Sequence, residues 1–167
     1  MKTKQTKMLL IDANPFTSSK NKEIERMIET ADNGEMLVQL MRKKMDGLNH
    51  HALMAKALEN EEKVLPFIME RTLTNRQSVF IENAVAFFLR CKTDISGWIL
   101  ENYDTFKSEY MKQFLCLVLG FKGDTEVIPF LMNEVIRFEK YYPDKDYNQG
   151  PILGLQEIEY RFFNERE

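Results

Sequence analysis

Val127-Ile128-Pro129-Phe130-Leu131-Met132-Asn133-Glu134 is the stretch that decides the fold, because related copies of it occur twice earlier in the chain. The earlier copies are Val64-Leu65-Pro66-Phe67-Ile68-Met69-Glu70-Arg71 and Ile95-Ser96-Gly97-Trp98-Ile99-Leu100-Glu101-Asn102, so the three copies begin at nearly even intervals. Each has Pro or Gly at the third position, an aromatic residue at the fourth and two large aliphatic residues after it. A fixed period of about 20 to 50 residues is typical of repeat architectures. A fainter copy at 36–43 is interpreted as a degenerate terminal repeat.

A second apolar segment follows each copy, and its length predicts a second helix. These segments cover 52–58, 84–89, 114–119 and 152–163. Each unit is therefore predicted to be a helical hairpin, with about four units in the chain. Gly and Pro are scarce, at 7 and 5 of 167 residues, which disfavours hairpin-rich β structure. The sequence predicts an all-α fold with at least eight helices.

Polar residues between the apolar segments predict where helices begin and end. Thr17-Ser18-Ser19 supplies N-caps for a helix over 20–31, closed by Asn33-Gly34. Thr74 and Gln77 have the spacing of a capping box, and Asp124 is placed to cap the last copy. Residues 1–16 are predicted to be a flexible arm, and 17–167 a single domain.

Paired helices that recur at a period of about 30 residues, with Pro and an aromatic residue in the first helix, resemble the HEAT-like repeats of armadillo-type proteins. The resemblance covers about residues 35 to 165 and implies an α-α superhelix, a short α-solenoid of about four hairpins. The Asp and Arg that HEAT repeats often carry near the turn are only loosely echoed by Asn75-Arg76. The tetratricopeptide pattern does not recur.

The charge of the chain indicates which class of partner to expect, and its cysteine content indicates the cellular compartment. The formal net charge is −3, and residues 101–167 carry 8 basic and 13 acidic side chains, which disfavours a nucleic-acid partner. Cys91 and Cys116 lie in apolar segments without metal-ligand spacing, so we expect both to be buried and reduced. No apolar run reaches the roughly 18 residues of a membrane span. We expect a cytoplasmic protein with no membrane association.

No residue pattern predicts catalysis, a metal site or a cofactor, and we expect a protein that is not an enzyme. The recurring aromatic residues Phe67, Trp98 and Phe130 are predicted to be buried between repeats. Glutamates at the far end of each copy, including Glu134, are predicted to be solvated. Residues 144–150 alternate oxygen-bearing side chains as a calcium loop does, but Gln149 stands where an EF-hand requires Gly.

Two surfaces are predicted to bind partners. The first is the loop before the last helix, where tyrosines that favour interfaces accompany acidic side chains. Its contact residues are Tyr141, Tyr142, Asp144, Asp146 and Tyr147. The alternative is that these rings only pack the loop onto its neighbouring helices.

The second predicted surface is the C-terminal helix, whose apolar residues span an arc of about 220° where packing on one neighbour requires about 100°. The excess predicts a homodimer or a docked partner, with Leu153, Tyr160 and Phe163 at the interface. Covering of the same face by the N-terminal arm is an alternative.

These patterns together predict a non-catalytic module that binds a protein along a pre-organised helical surface. The alternative is a helical-repeat enzyme or nucleic-acid-binding protein related to armadillo-type DNA glycosylases. That class requires a basic groove with a carboxylate and exposed aromatic residues, whereas the C-terminal part of this chain is acidic.

Overall fold

The computed structural model describes residues 19–164, and the regular secondary structure of this part of the chain is helical, without a β-strand. The expectation of an all-α fold with at least eight helices is confirmed. Within the same range, none of the helices has the length and apolarity needed to cross a bilayer. The predicted arm at 1–16 and the N-caps at Thr17 and Ser18 lie outside the described residues.

The α-helices are, in chain order, α1 (Ser19–Thr30), α2 (Gly34–Leu40), α3 (Gly47–Glu59), α4 (Glu61–Thr74), α5 (Ser78–Arg90), α6 (Ser96–Asn102), α7 (Glu109–Lys122), α8 (Ile128–Tyr141) and α9 (Gln149–Glu159). Short 3-10 turns cover Tyr103–Thr105, Thr125–Val127 and Asp146–Asn148, and a π-helical turn covers Tyr160–Asn164. The chain divides into two compact units, Met1–Phe67 and Ile68–Glu167.

In the first unit, α3 packs against α1 and α2 around a core that includes Ile28, Leu37 and Leu53. Lys56 donates hydrogen bonds from Nζ to the carbonyls of Ile28 and Glu29, each at 2.7 Å. Both carbonyls lie in the last turn of α1, where carbonyl groups run out of partners within the helix, so the lysine closes that helix. Asn33, which the sequence predicted to close α1, instead caps α2 by accepting from the Met36 amide.

In the second unit, α7 is the central helix: α5, α6 and α9 all pack against it. Its N-terminus is capped by Ser108, which accepts from the Met111 amide, and Asp124 caps the following turn as predicted. The predicted capping box at Thr74 and Gln77 is wrong, since Thr74 is the last residue of α4 and Gln77 makes no side-chain cap.

The repeated segments share one pattern of burial. Their first residues Val64, Ile95 and Val127 and their fifth residues Ile68, Ile99 and Leu131 are all buried. A spacing of four residues places both positions on one helix face, and that face is the core face.

The aromatic position of the repeat is not a fully buried position: the prediction of burial is wrong for Phe67 and holds only in part for Trp98 and Phe130. Phe67 is 38% exposed, and the other two rings are half-buried. Trp98 stacks edge-on against Phe106 at 5.5 Å between centroids. The aromatic residue lies three positions after the first core residue and one before the second, at the margin of the buried face, where a ring covers the core without entering it.

Candidate protein-docking surface

An open groove of about 360 Å³ runs between α8 and α9. Its lining residues are Met132, Val135 and Ile136 from α8, and Ile152, Leu155, Gln156 and Glu159 from α9. Five of the seven are apolar, and on each helix they recur at intervals of three and four residues, as one helical face does. We call this surface the α8–α9 groove.

The groove exists because α9 packs on α7 through small residues on its opposite side. A Cβ added at Gly120 of α7 would lie 2.3 Å from the Cα of Gly154, and one added at Gly150 would lie 2.0 Å from the carbonyl oxygen of Gln113. Such distances leave no room for any side chain. The glycines therefore let the two helix backbones meet, and the larger residues of α9 face elsewhere.

Large apolar side chains cover the exposed side of this helix pair. Their exposed fractions are 53% for Met132, 62% for Ile136, 47% for Leu153, 61% for Tyr160 and 58% for Phe163. Monomeric proteins rarely expose contiguous apolar patches larger than roughly a few hundred Å². Larger patches mark interaction sites. Of the three predicted interface residues, Leu153 is thus exposed on α9, and Tyr160 and Phe163 are exposed in the π-helical turn that follows it.

Buried polar groups under the α8 side of this region fix α8 to its neighbours. The Tyr103 hydroxyl donates to Glu134 Oε2 at 2.6 Å and lies 3.3 Å from Cys116 Sγ. Arg137 binds both oxygens of the Glu134 carboxylate, with Nε 2.9 Å from Oε1 and 2.8 Å from Oε2, and its Nη1 pairs with Glu109 at 2.8 Å. Glu134 is buried rather than solvated, which corrects the prediction made from its repeat position.

The environment of this network sets the protonation of its members. Burial raises the pKa of the Cys116 thiol to about 12 and that of the Tyr103 hydroxyl well above its usual range. Burial lowers the pKa of Arg137, but its bonds to Glu134 and Glu109 outweigh this and raise the pKa above the usual value. The thiol and phenol therefore stay neutral and the guanidinium stays charged. None of these three groups exchanges protons near neutral pH. We therefore interpret the network as one that holds α8 against its neighbours.

One partial signal for this network is present in the sequence. Glu134 and Arg137 are three residues apart on a helix, a spacing that permits an ion pair. Tyr103, however, lies far before Glu134 in the chain, and only folding brings its hydroxyl to the carboxylate.

The tyrosine loop is partly folded onto the helices. Tyr142 and Tyr147 pack against the buried ring of Phe138, with centroids 6.1 and 5.8 Å away, and lie 5.7 Å from each other. The remaining three predicted contact residues are exposed: Tyr141, Asp144 and Asp146. Two of the five therefore pack against each other, while Tyr141 contacts the Lys140 ammonium at 5.0 Å.

A second cleft of about 440 Å³ in the same unit is lined by both acidic and basic groups, including Asp94, Asp124, Lys122 and Arg161. Arg161 donates from Nη1 to the carbonyls of Gly120 and Gly123 at 2.7 and 2.9 Å, which attaches the C-terminal turn to α7. Both cations bond backbone carbonyls, since Lys122 donates to the carbonyl of Cys91. We interpret this cleft as a structural junction.

Over residues 19–164, no group of three or more His, Cys, Asp or Glu side chains is placed to hold a metal ion. Both cysteines are free and buried, as the sequence predicted. Comparison of the chain with protein-family models, with curated proteins and with solved structures finds no match. The α8–α9 groove and the apolar residues beside it are therefore the candidate site, on physical grounds alone.

Proposed function

We propose that this chain is a non-catalytic, HEAT-like helical-repeat module that binds a protein partner through the α8–α9 groove. The observation that carries the proposal is the exposed apolar surface of the last helix pair, where Met132 and Ile136 are more than half exposed. Burying such side chains on association is worth about 25 cal/mol per Å² of apolar area. A groove between two helices is a familiar seat for a third helix.

The repeat interpretation rests on the recurring core positions. In a stacked array, each hairpin covers the apolar face of the one before it. The exposed face of the α8–α9 hairpin is apolar as well, so a partner with an apolar face of its own can pack there. The free, buried thiols suit a reducing compartment, and we place the module in the cytoplasm.

Site-specific photo-crosslinking tests the proposal. A photoreactive amino acid at position 132 is expected to capture a protein in cells, and one at Phe121 is the control, because Phe121 is a similarly exposed apolar residue outside the groove lining. The captured protein is then purified and its affinity for the whole chain measured. Ile136→Ser is expected to weaken binding about 30-fold, the effect of losing about 2 kcal/mol at an interface centre.

The control variant Phe121→Ser is expected to leave the affinity unchanged. Equal loss in both variants, or no loss in Ile136→Ser while its circular dichroism spectrum stays native, contradicts the assignment of binding to the groove.

A further inference from the structure

The chemistry of the groove specifies more than an apolar partner, because its lining includes two polar side chains. Glu159 and Gln156 lie on α9, three residues apart, on the same side as Ile152 and Leu155. Glu159 is the one charged residue among the seven that line the groove. Glu159 is exposed in the free chain, so an occupant that packs on the apolar floor lies beside this carboxylate and covers part of it.

The shape of the groove suits a helix about two turns long. Ile152 and Glu159 are seven residues apart on α9, which corresponds to about 10 Å of helix. Met132 and Ile136 supply the opposite wall over one turn. A helix laid between such walls contacts them through residues at positions i, i+3, i+4 and i+7.

The Glu159 carboxylate distinguishes between two classes of occupant, a second copy of this chain and a helix of another protein. A carboxylate that loses water without gaining a partner is destabilised, whereas a well-placed guanidinium forms two parallel bonds with it. A second copy of this chain that pairs through the same groove brings another Glu159 and Gln156, and its lining holds no cation. Self-pairing therefore leaves two carboxylates uncompensated, and a foreign helix with a basic residue does not.

We infer that the occupant of the groove is an amphipathic helix of another protein that carries arginine or lysine in register with Glu159. The inference rests on the proposed function and names its partner by chemistry. Residues 101–167 are acidic as a whole, which favours approach of a basic segment at low salt.

Selection from a displayed peptide library tests this chemistry directly. The library consists of helices of about 18 residues with apolar residues fixed at i, i+3, i+4 and i+7 and the other positions randomised. Selection on the whole wild-type chain is expected to enrich Arg or Lys at one position. Selection on Glu159→Arg is expected to enrich Asp or Glu at that same position, with about tenfold weaker binding of the wild-type peptides.

Two control variants separate this inference from the proposed function. Ile136→Ser is expected to abolish enrichment, and Phe121→Ser is expected to leave it unchanged. Enrichment that is indifferent to charge, or identical for wild type and Glu159→Arg, overturns the inference and leaves helix docking in place.

Light scattering on the purified chain tests whether the occupant of the groove is a second copy of the chain. A stable dimer that Ile136→Ser dissociates and Phe121→Ser does not identifies the occupant as a second copy and overturns the inference. If no peptide is enriched on any variant, the inference is overturned as well, and the crosslinking experiment decides the proposed function independently.

Discussion

The two sides of α9 differ in the size of their residues: one side packs closely on α7 through glycine, and the other carries large apolar residues. On the side that faces α7, Gly150 and Gly154 have no side chain, so that the two backbones come together. On the other side, Ile152 and Leu155 line a groove and Tyr160, in the turn that follows, is mostly exposed. The difference teaches that the packed side of a helix need not be its most apolar side. Close approach is achieved with glycine, and larger apolar residues lie on the exposed side.

The strongest test of this contrast compares two adjacent residues of α8. Leu131 is fully buried on the side that meets Gly154, and Met132 lines the groove. Leu131→Ala is expected to lower the free energy of unfolding by about 2–5 kcal/mol, because it leaves a cavity. Met132→Ala is expected to change it by less than about 0.5 kcal/mol. Urea denaturation measures both, and similar losses would mean that the groove side is also core.

A glycine exchange tests the close contact between α7 and α9. Gly120→Ala places a Cβ against the Gly154 backbone, and separating the helices is expected to cost about 1–3 kcal/mol. Gly97 is the matched control, since it lies within α6 with nothing within 4 Å of an added Cβ. Gly97→Ala is expected to raise the free energy of unfolding by about 0.4–1 kcal/mol through the lower entropy of the unfolded chain. Thermal denaturation of both variants is the measurement, and a stable Gly120→Ala protein would refute the close contact.

Much of the helical fold was predictable because its signals are local. Apolar residues four apart, such as Leu131 and Val127, predict a helix and its buried face from one stretch of sequence. The burial of the aromatic position was not predictable in this way, because a large ring at the margin of the buried face is as apolar as one inside it. Phe67 shows this directly with its exposed ring.

The packing of the candidate site was less predictable because it depends on distant parts of the chain. The sequence predicted the wide apolar arc of the last helix. It did not predict the close packing of its glycines, since Gly154 contacts Gly120 on a different helix. Glu134 was misassigned for the same reason: its partner Tyr103 is remote in sequence. The groove itself needs two helices, so no pattern within one of them describes it.

Alkaline pH tests the buried thiol beneath α8. Burial raises the pKa of Cys116 from the ordinary thiol value of 9.0 to about 12, so above pH 9 the unfolded state loses a proton that the folded state keeps. Stability is therefore fully present below pH 9 and falls as the pH rises towards 12. Between pH 7 and 10, Cys116→Ala is expected to lose about 1.4 kcal/mol less than wild type. Equal pH dependence in urea titrations would contradict the burial of this thiol.

The smallest effect is expected on the exposed side of the C-terminal helix, and it is the most informative about the groove. Leu153→Ser and Tyr160→Ser remove side chains that are about half exposed, and each is expected to change the free energy of unfolding by less than about 0.5 kcal/mol. The measurement is made at two protein concentrations that differ tenfold, because binding of a second copy makes the melting temperature depend on concentration. Concentration-independent melting with unchanged stability fits a face that is open in the free protein and reserved for a foreign partner. A larger loss of stability that grows with concentration would instead mean that a second copy already covers this side, and the two sides of α9 would then both be packed surfaces.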